Sequence, residues 1–369
     1  MENDQQNLIG HRLASVDALR GFDMLWIIGG GAFFANIAEV YGHPVTDTIR
    51  QQLEHVEWEG FRFEDLIFPL FLFIVGVVLP FSITRRLERG HSKAALYLHI
   101  IKRSALIIFL GLIFNGLLRF DLAQMRWPGV LQRIGICYFF AALIVVNTKW
   151  RTQAIIIAAI LILYWIATML IPVPNYGAGD LTMEGCLSSY IDQQLIPGKL
   201  YYGHGDNEGV ISTFPAVCTV LLGVLAGHWL RSGQFGDRKA AGLAIAGIVS
   251  LLLGLIWGQV FPIIKIIWTS SYVLVAGGLS LLLLALFYWV IDVKGYRKWA
   301  YFFIIIGMNP ITIYFTQRFV DFDRIARFFL IGFIEHVNFL EPLIMPFGVV
   351  LVKWLFLWFL YRHKIFFKA

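Results

Sequence analysis

The chain has 369 residues, 58% of them apolar, and a mean hydropathy of +0.71, against an apolar share of roughly 45–50% in soluble domains. A water-soluble fold of this size could not hide so much apolar surface. The formal net charge of +6 argues for no nucleic-acid partner, because the basic residues form no single patch with interleaved aromatics.

A helix crosses a bilayer core with about 20 mostly apolar residues, since about 30 Å of hydrocarbon is covered at about 1.5 Å per residue. About ten such stretches follow one another, near 20–39, 65–84, 100–118, 129–147, 152–172, 211–230, 240–260, 270–291, 299–317 and 342–361. The expectation is an all-α, polytopic transmembrane helix bundle, with residues 1–369 read as a single membrane domain. The segment Met1–Leu13 is polar and lacks the apolar region and cleavage site of a signal peptide.

Basic residues mark alternate connections. Arg12 and Arg20 accompany the first span; Arg85, Arg86, Arg89, Lys93, Lys102 and Arg103 follow the second; Lys149 and Arg151 follow the fourth. Further groups are Arg231, Arg238 and Lys239, then Lys294, Arg297 and Lys298, then Arg362, Lys364 and Lys368. The positive-inside rule puts these connections and both termini in the cytoplasm. The long polar interruptions 39–64, 174–210 and 318–341 then face outward, which suggests a site roofed by loops. Asn175–Asp180 reads as turns, and Ile325–His336 as a helix lying on the membrane surface. Cys137, Cys186 and Cys218 make no disulfide framework and read as structural.

Polar groups at membrane depth are costly and so are candidates for function. In chain order, Asp17, Arg20 and Asp23 surround a turn at Gly21, and Gly29, Gly30 and Gly31 follow. Three helical glycines cost roughly 3 kcal/mol relative to alanine, offset either by small-residue helix packing or by a groove for a ligand. His55 stands ten positions before Asp65, with Glu57 and Trp58 between. If the loop folds back, the pair suits general base catalysis, with the carboxylate orienting the imidazole; the alternatives are a solvated histidine and a carboxylate that caps a helix start. Arg133 needs a partner, for which Asp65, Glu64 or an anionic ligand would serve. Asn115, Ser270, Ser271, Tyr272, Asn309, Thr312 and Gln317 read as interhelical hydrogen bonds or ligand contacts, and Lys353 has no assigned role. No internal repeat of the transporter kind is visible.

Taken together these strings resemble the heparan-α-glucosaminide N-acetyltransferase family and its bacterial membrane relatives of the DUF5009 type. The resemblance rests on Arg12–Asp23, Gly29–Gly31, His55–Gly76, Pro128–Gly135, Glu208–Thr213, Trp268–Val273 and Gly307–Pro310, in that order. It implies transfer of an acetyl group from cytoplasmic acetyl-CoA, with no metal, to the amine of a glucosamine-type sugar on the far side of the membrane. His55 takes the place of the family's active-site histidine, with Asp65 beside it. Glu57, Trp58, Arg133, Ser271 and Asn309 are expected at the substrate, the last two as oxyanion donors. Arg20 and Gly29–Gly31 are expected along acetyl-CoA. Ile27 departs from the lysosomal members, which carry Asn two residues before their triplet. A multi-pass place in a bacterial inner membrane and a homodimer fit this reading. An amino-sugar transporter without acyl chemistry and an O-acetyltransferase of a surface glycan are the alternatives.

Overall fold

The computed structural model describes residues 13–367. Arg12 and Lys368 of the charge pattern, and Met1 to Arg12 of the terminal reading, lie outside them. Among the described residues the fold is all helix, with isolated antiparallel bridges and no strand.

Nine helical segments among the described residues are long and apolar enough to cross a membrane. The first, Ala14–Ala38, contains α1 (Ala14–Leu25), a widened turn (Trp26–Gly30) and most of α2 (Gly31–Tyr41). The short helix α3 (Pro44–Gln52) precedes α4 (Glu64–Glu88), α5 (Lys93–Phe114), α6 (Val130–Asn147) and α7 (Trp150–Leu170). The loop helix α8 (Leu187–Leu195) is followed by α9 (Thr213–Leu230), α10 (Gly236–Trp257) and α11 (Ser270–Phe287). After α12 (Ala300–Met308) and α13 (Pro310–Thr316) come the loop helix α14 (Phe322–Ile334) and the last span α15 (Glu341–Arg362).

The expected span at 299–317 is the one that differs. It breaks into α12 and α13 at Asn309 (φ −134°, ψ 49°), because Pro310 offers no N–H and drives the preceding residue out of helical geometry. The expected turn at Gly21 is also replaced, by continuous helix. A Cβ there would lie 1.7 Å from the Phe303 carbonyl oxygen, and one at Gly307 would lie 2.0 Å from that of Asp17. Small-residue packing therefore occurs where α1 crosses α12. The same device joins α4 to α9, where a Cβ on Gly76 or Gly223 would come within 1.9 Å of a backbone oxygen on the other helix. Such backbone contact supplies the dispersion that holds helices together where lipid provides no hydrophobic drive.

The lateral surface is apolar. Phe109, Ile155, Leu163, Leu252 and Ile256 are exposed on their helices, an arrangement that water would penalise and hydrocarbon accepts. The chain is a multi-pass membrane protein. Helix order also sorts the loops. The spans α4 to α11 alternate in direction, so 42–63, 115–129, 171–212 and 258–269 gather at one end of the bundle. This is confirmed by Trp58 Nε1 donating to the Leu181 carbonyl (2.8 Å), by the bridge from Glu59 to Ile264 and by ion pairing of Arg126 with Asp206. The connections with Arg89, Lys149, Arg231 and Lys294 lie at the other end.

Candidate active site

Glycine makes the first element of the site. Gly60 has φ 124°, open to glycine at little cost, and its N–H donates to the Ile263 carbonyl at 2.9 Å while Glu59 bridges Ile264. The 53–63 loop is thereby clamped to the 258–269 loop. Trp58 adds an anchor by packing on Cys186, Ile264, Ile266 and Ile267. Lys265 follows Ile264 and is delivered to the end of α4.

There His55 Nδ1 lies 3.0 Å from Asp65 Oδ1, and Lys265 Nζ is 3.0 Å from the same ring nitrogen and 3.2 Å from the same oxygen. The other oxygen, Oδ2, accepts the N–H groups of Arg62 (3.0 Å) and Val56 (3.4 Å). Asp65 thus does both jobs foreseen for it: it fastens the turn that opens α4, and it meets His55. A carboxylate only accepts, so the Asp65 contact favours the proton on Nδ1, whereas an ammonium only donates, so the Lys265 contact favours a bare Nδ1; the tautomer with the lone pair on Nε2 is the one in which Asp65 is the ring's partner. The imidazole is 59% exposed, whereas Asp65 is fully buried and Lys265 is 14% exposed. Burial lowers the proton affinity of the Lys265 ammonium below its usual value, against the pull of Asp65. The result is a buried ion pair carrying an exposed imidazole with one nitrogen held and the other available.

Lys265 was not among the residues singled out from sequence. Its signal is that it is the lone charge in the apolar run from Gly258 to Thr269.

The other expected residues are arranged differently. Glu57 is exposed in the same loop, and the Trp58 indole N–H is engaged by Leu181. Arg133 is buried and turns to the 207–212 segment in place of Asp65 or Glu64. It donates to the carbonyls of Asn207 (2.8 Å) and Gly209 (3.1 Å) and to Ser212 Oγ, with Trp268 stacked 5.0 Å away. A guanidinium fork suits such divergent oxygens, and here it pins a loop. Ser271 Oγ donates to the Pro262 carbonyl (3.0 Å), and the Asn309 amide is held by Ile365 and Phe367 of the C-terminal tail. Both make structural hydrogen bonds here, Ser271 to the 258–269 loop and Asn309 to the tail.

Arg20 bridges Asp17 and the Gly307 carbonyl, both at 3.2 Å. Gly29 breaks the helix at φ 116°, and a Cβ at Gly31 would meet nothing within 4 Å. Gly29 thus serves backbone shape and Gly31 borders open space, whereas a Cβ at Gly30 would lie 2.7 Å from the Leu25 carbonyl oxygen; tight packing between helices is at Gly21. The break also explains Lys353, whose Nζ donates to the freed Ile28 carbonyl (2.8 Å) and to Gln317 (3.2 Å).

A second polar cluster, unforeseen from sequence, ties the loops of this end. Arg126 pairs with Asp206 and Glu208 and stacks on Tyr201. Burial works against the Arg126 charge, but these carboxylates outweigh it and raise its proton affinity. Asp192 accepts the N–H groups of Val210 (2.8 Å) and Asp206 (3.3 Å); burial pushes its pKa up to about 6. No group of His, Cys, Asp and Glu among the described residues forms a metal site.

With this geometry in view, comparison with known proteins is informative. Residues 12–178 match the family described as domain of unknown function DUF5009. The chain is 29% identical to heparan-alpha-glucosaminide N-acetyltransferase of Mus musculus over 82% of its own length and 53% of that protein's. The human protein of the same name gives 29%, 82% and 52%. The resemblance drawn from the sequence holds. The chain spans about half the length of these curated relatives, and the matched family region contains His55, Asp65 and the glycine triplet but ends before Lys265.

Proposed function

We propose that the chain is a transmembrane N-acetyltransferase that moves the acetyl group of acetyl-CoA to the amine of glucosamine or a glucosamine-containing sugar. One observation carries the reading: a histidine held through Nδ1 by a buried carboxylate, with Nε2 available, at the end of the bundle opposite the basic connections. By the positive-inside rule that end is the outer one, where a sugar arrives, while acetyl-CoA enters from the cytoplasm.

In this reaction the amine nitrogen attacks the thioester carbonyl, the N–C bond forms and the C–S bond breaks. His55 Nε2 takes the proton that the amine loses and returns it to the departing thiolate. Asp65 keeps the ring in the required tautomer and faces the imidazolium that forms. Lys265 holds Asp65 ionised and in place. The exposed carboxylate of Glu57 lies in the same loop and would attract a sugar ammonium. The break at Gly29 and the open space at Gly31 supply room for the thioester-bearing arm on its way across.

The test is incubation of purified protein in detergent with radiolabelled acetyl-CoA and glucosamine, beside His55→Ala. Label reaching the sugar nitrogen only with His55 intact is the expected result. Label on a sugar oxygen would point to O-acetylation, and sugar uptake into vesicles without acetyl-CoA would point to transport.

A further inference from the structure

Besides the Ser15 hydroxyl, two buried polar groups of the first span, on α1 and in the widened turn that follows it, have no hydrogen-bond partner among the described residues. One is the whole carboxyl of Asp23, both oxygens included, on a residue with no exposed surface; the other is the indole N–H of Trp26. A buried hydroxyl can turn toward a partner, but a carboxyl and an indole are fixed by their side-chain torsions, and leaving either unmade is expensive in a membrane. Residues three apart lie on one face of a helix, so the two groups are neighbours. They sit just before the break at Gly29, beyond which Gly31 faces open space. The Trp26 ring in turn meets Phe63 at 4.9 Å, the residue that precedes α4 and its Asp65. The two unmet groups therefore lie between the interior of α1 and the segment that leads into the His55–Asp65 site.

The chemistry of the pair is complementary to one kind of ligand group. Asp23 accepts a hydrogen bond, Trp26 donates one, and a trans secondary amide lying between them offers both functions on opposite edges of one planar group. We infer that Asp23 and Trp26 form a subsite for an amide of the pantetheine arm, with the amide N–H donating to Asp23 and the amide oxygen accepting from Trp26. The inference rests on acetyl-CoA being the donor, and it adds two recognition residues to the glycine triplet. It also accounts for the survival of a carboxyl inside an apolar span, where an apolar residue would pack at no such cost.

Calorimetry on the full chain in detergent tests it, with CoA and 3′,5′-ADP as probes, the second lacking the arm. Each of Asp23→Leu and Trp26→Phe is expected to weaken CoA binding about tenfold, the equivalent of one lost hydrogen bond, and to leave 3′,5′-ADP binding unchanged. Asp23→Leu should also melt no lower than the parent, since it removes an unpaired buried group. Asp23→Asn, which keeps an acceptor, covers the case in which leucine does not fold; it should retain more CoA affinity than Asp23→Ala. CoA affinity unaltered by these substitutions, or equal losses for both probes, would overturn the subsite. Failure of the parent protein to bind CoA would instead overturn the acetyl-CoA reading on which it rests.

Discussion

Lys265→Met removes the cation between His55 and Asp65 while keeping the length of the side chain. In the structure the ammonium lies 3.0 Å from His55 Nδ1 and 3.2 Å from Asp65 Oδ1. Two unit charges about 4 Å apart interact by about 1 kcal/mol in water and about 4 kcal/mol at an effective dielectric of 20. Lys265 is 14% exposed beside a fully buried carboxylate, and solvent that reaches the cluster past the 59% exposed imidazole pulls the figure toward the lower value. About 1.4 kcal/mol is a tenfold change in rate, so loss of the cation that holds Asp65 against the ring lowers acetyl transfer about tenfold. Asp65 keeps His55 and the N–H groups of Val56 and Arg62, so the loop stays folded and the melting temperature falls little. The assay is the initial rate of label transfer from acetyl-CoA to glucosamine, beside a thermal melt of the same variant. A normal rate would refute a role for Lys265 at His55, and a rate loss matched by a collapsed melt would make it a fold residue only.

Three further outcomes follow from the packing and the charges. Asp192 titrates in the folded protein at about 6 against a usual 3.8, so the fold holds its proton more tightly than the unfolded chain. Its stabilising contribution is present below about pH 4 and is lost as pH rises through 6, by about 3 kcal/mol for a two-unit shift. Asp192→Asn should flatten the melting temperature between pH 4 and 7, as read by scanning fluorimetry. Gly21→Ala drives a methyl group to 1.7 Å from the Phe303 carbonyl, so α1 and α12 must part; a loss of several kcal/mol should appear as a collapsed monodisperse peak in size-exclusion chromatography. Gly31→Ala meets nothing within 4 Å and should leave melting unchanged, so a raised KM for acetyl-CoA in that variant would report the ligand itself.

How far the sequence could be read depended on the range of the physics involved. His55 and Asp65 are ten residues apart on one loop and the helix that follows it, so loop closure alone could bring them together, and they meet. Arg133 meets neither Asp65 nor Glu64, and its protein partners were not legible because acceptors from main chain leave no trace in residue identity: those at Asn207 and Gly209 are backbone carbonyls. Ser271 and Asn309 read as available donors for the same reason, since Pro262, Ile365 and Phe367 engage them through backbone atoms.

The sequence by itself determined that this is a multi-pass helical membrane protein, roughly where its spans lie and which connections are basic. Those properties follow from composition and local periodicity, which hydrocarbon reads residue by residue. Only the tertiary structure decided that Lys265, 210 positions from His55, completes the polar cluster, that Gly21 and Gly76 mark helix crossings, and that Asp23 and Trp26 have no hydrogen-bond partner among the described residues. Each of these depends on which helices become neighbours, and in a bilayer that choice is made by backbone fit and the pairing of a few buried polar groups, both of which act between distant parts of the chain.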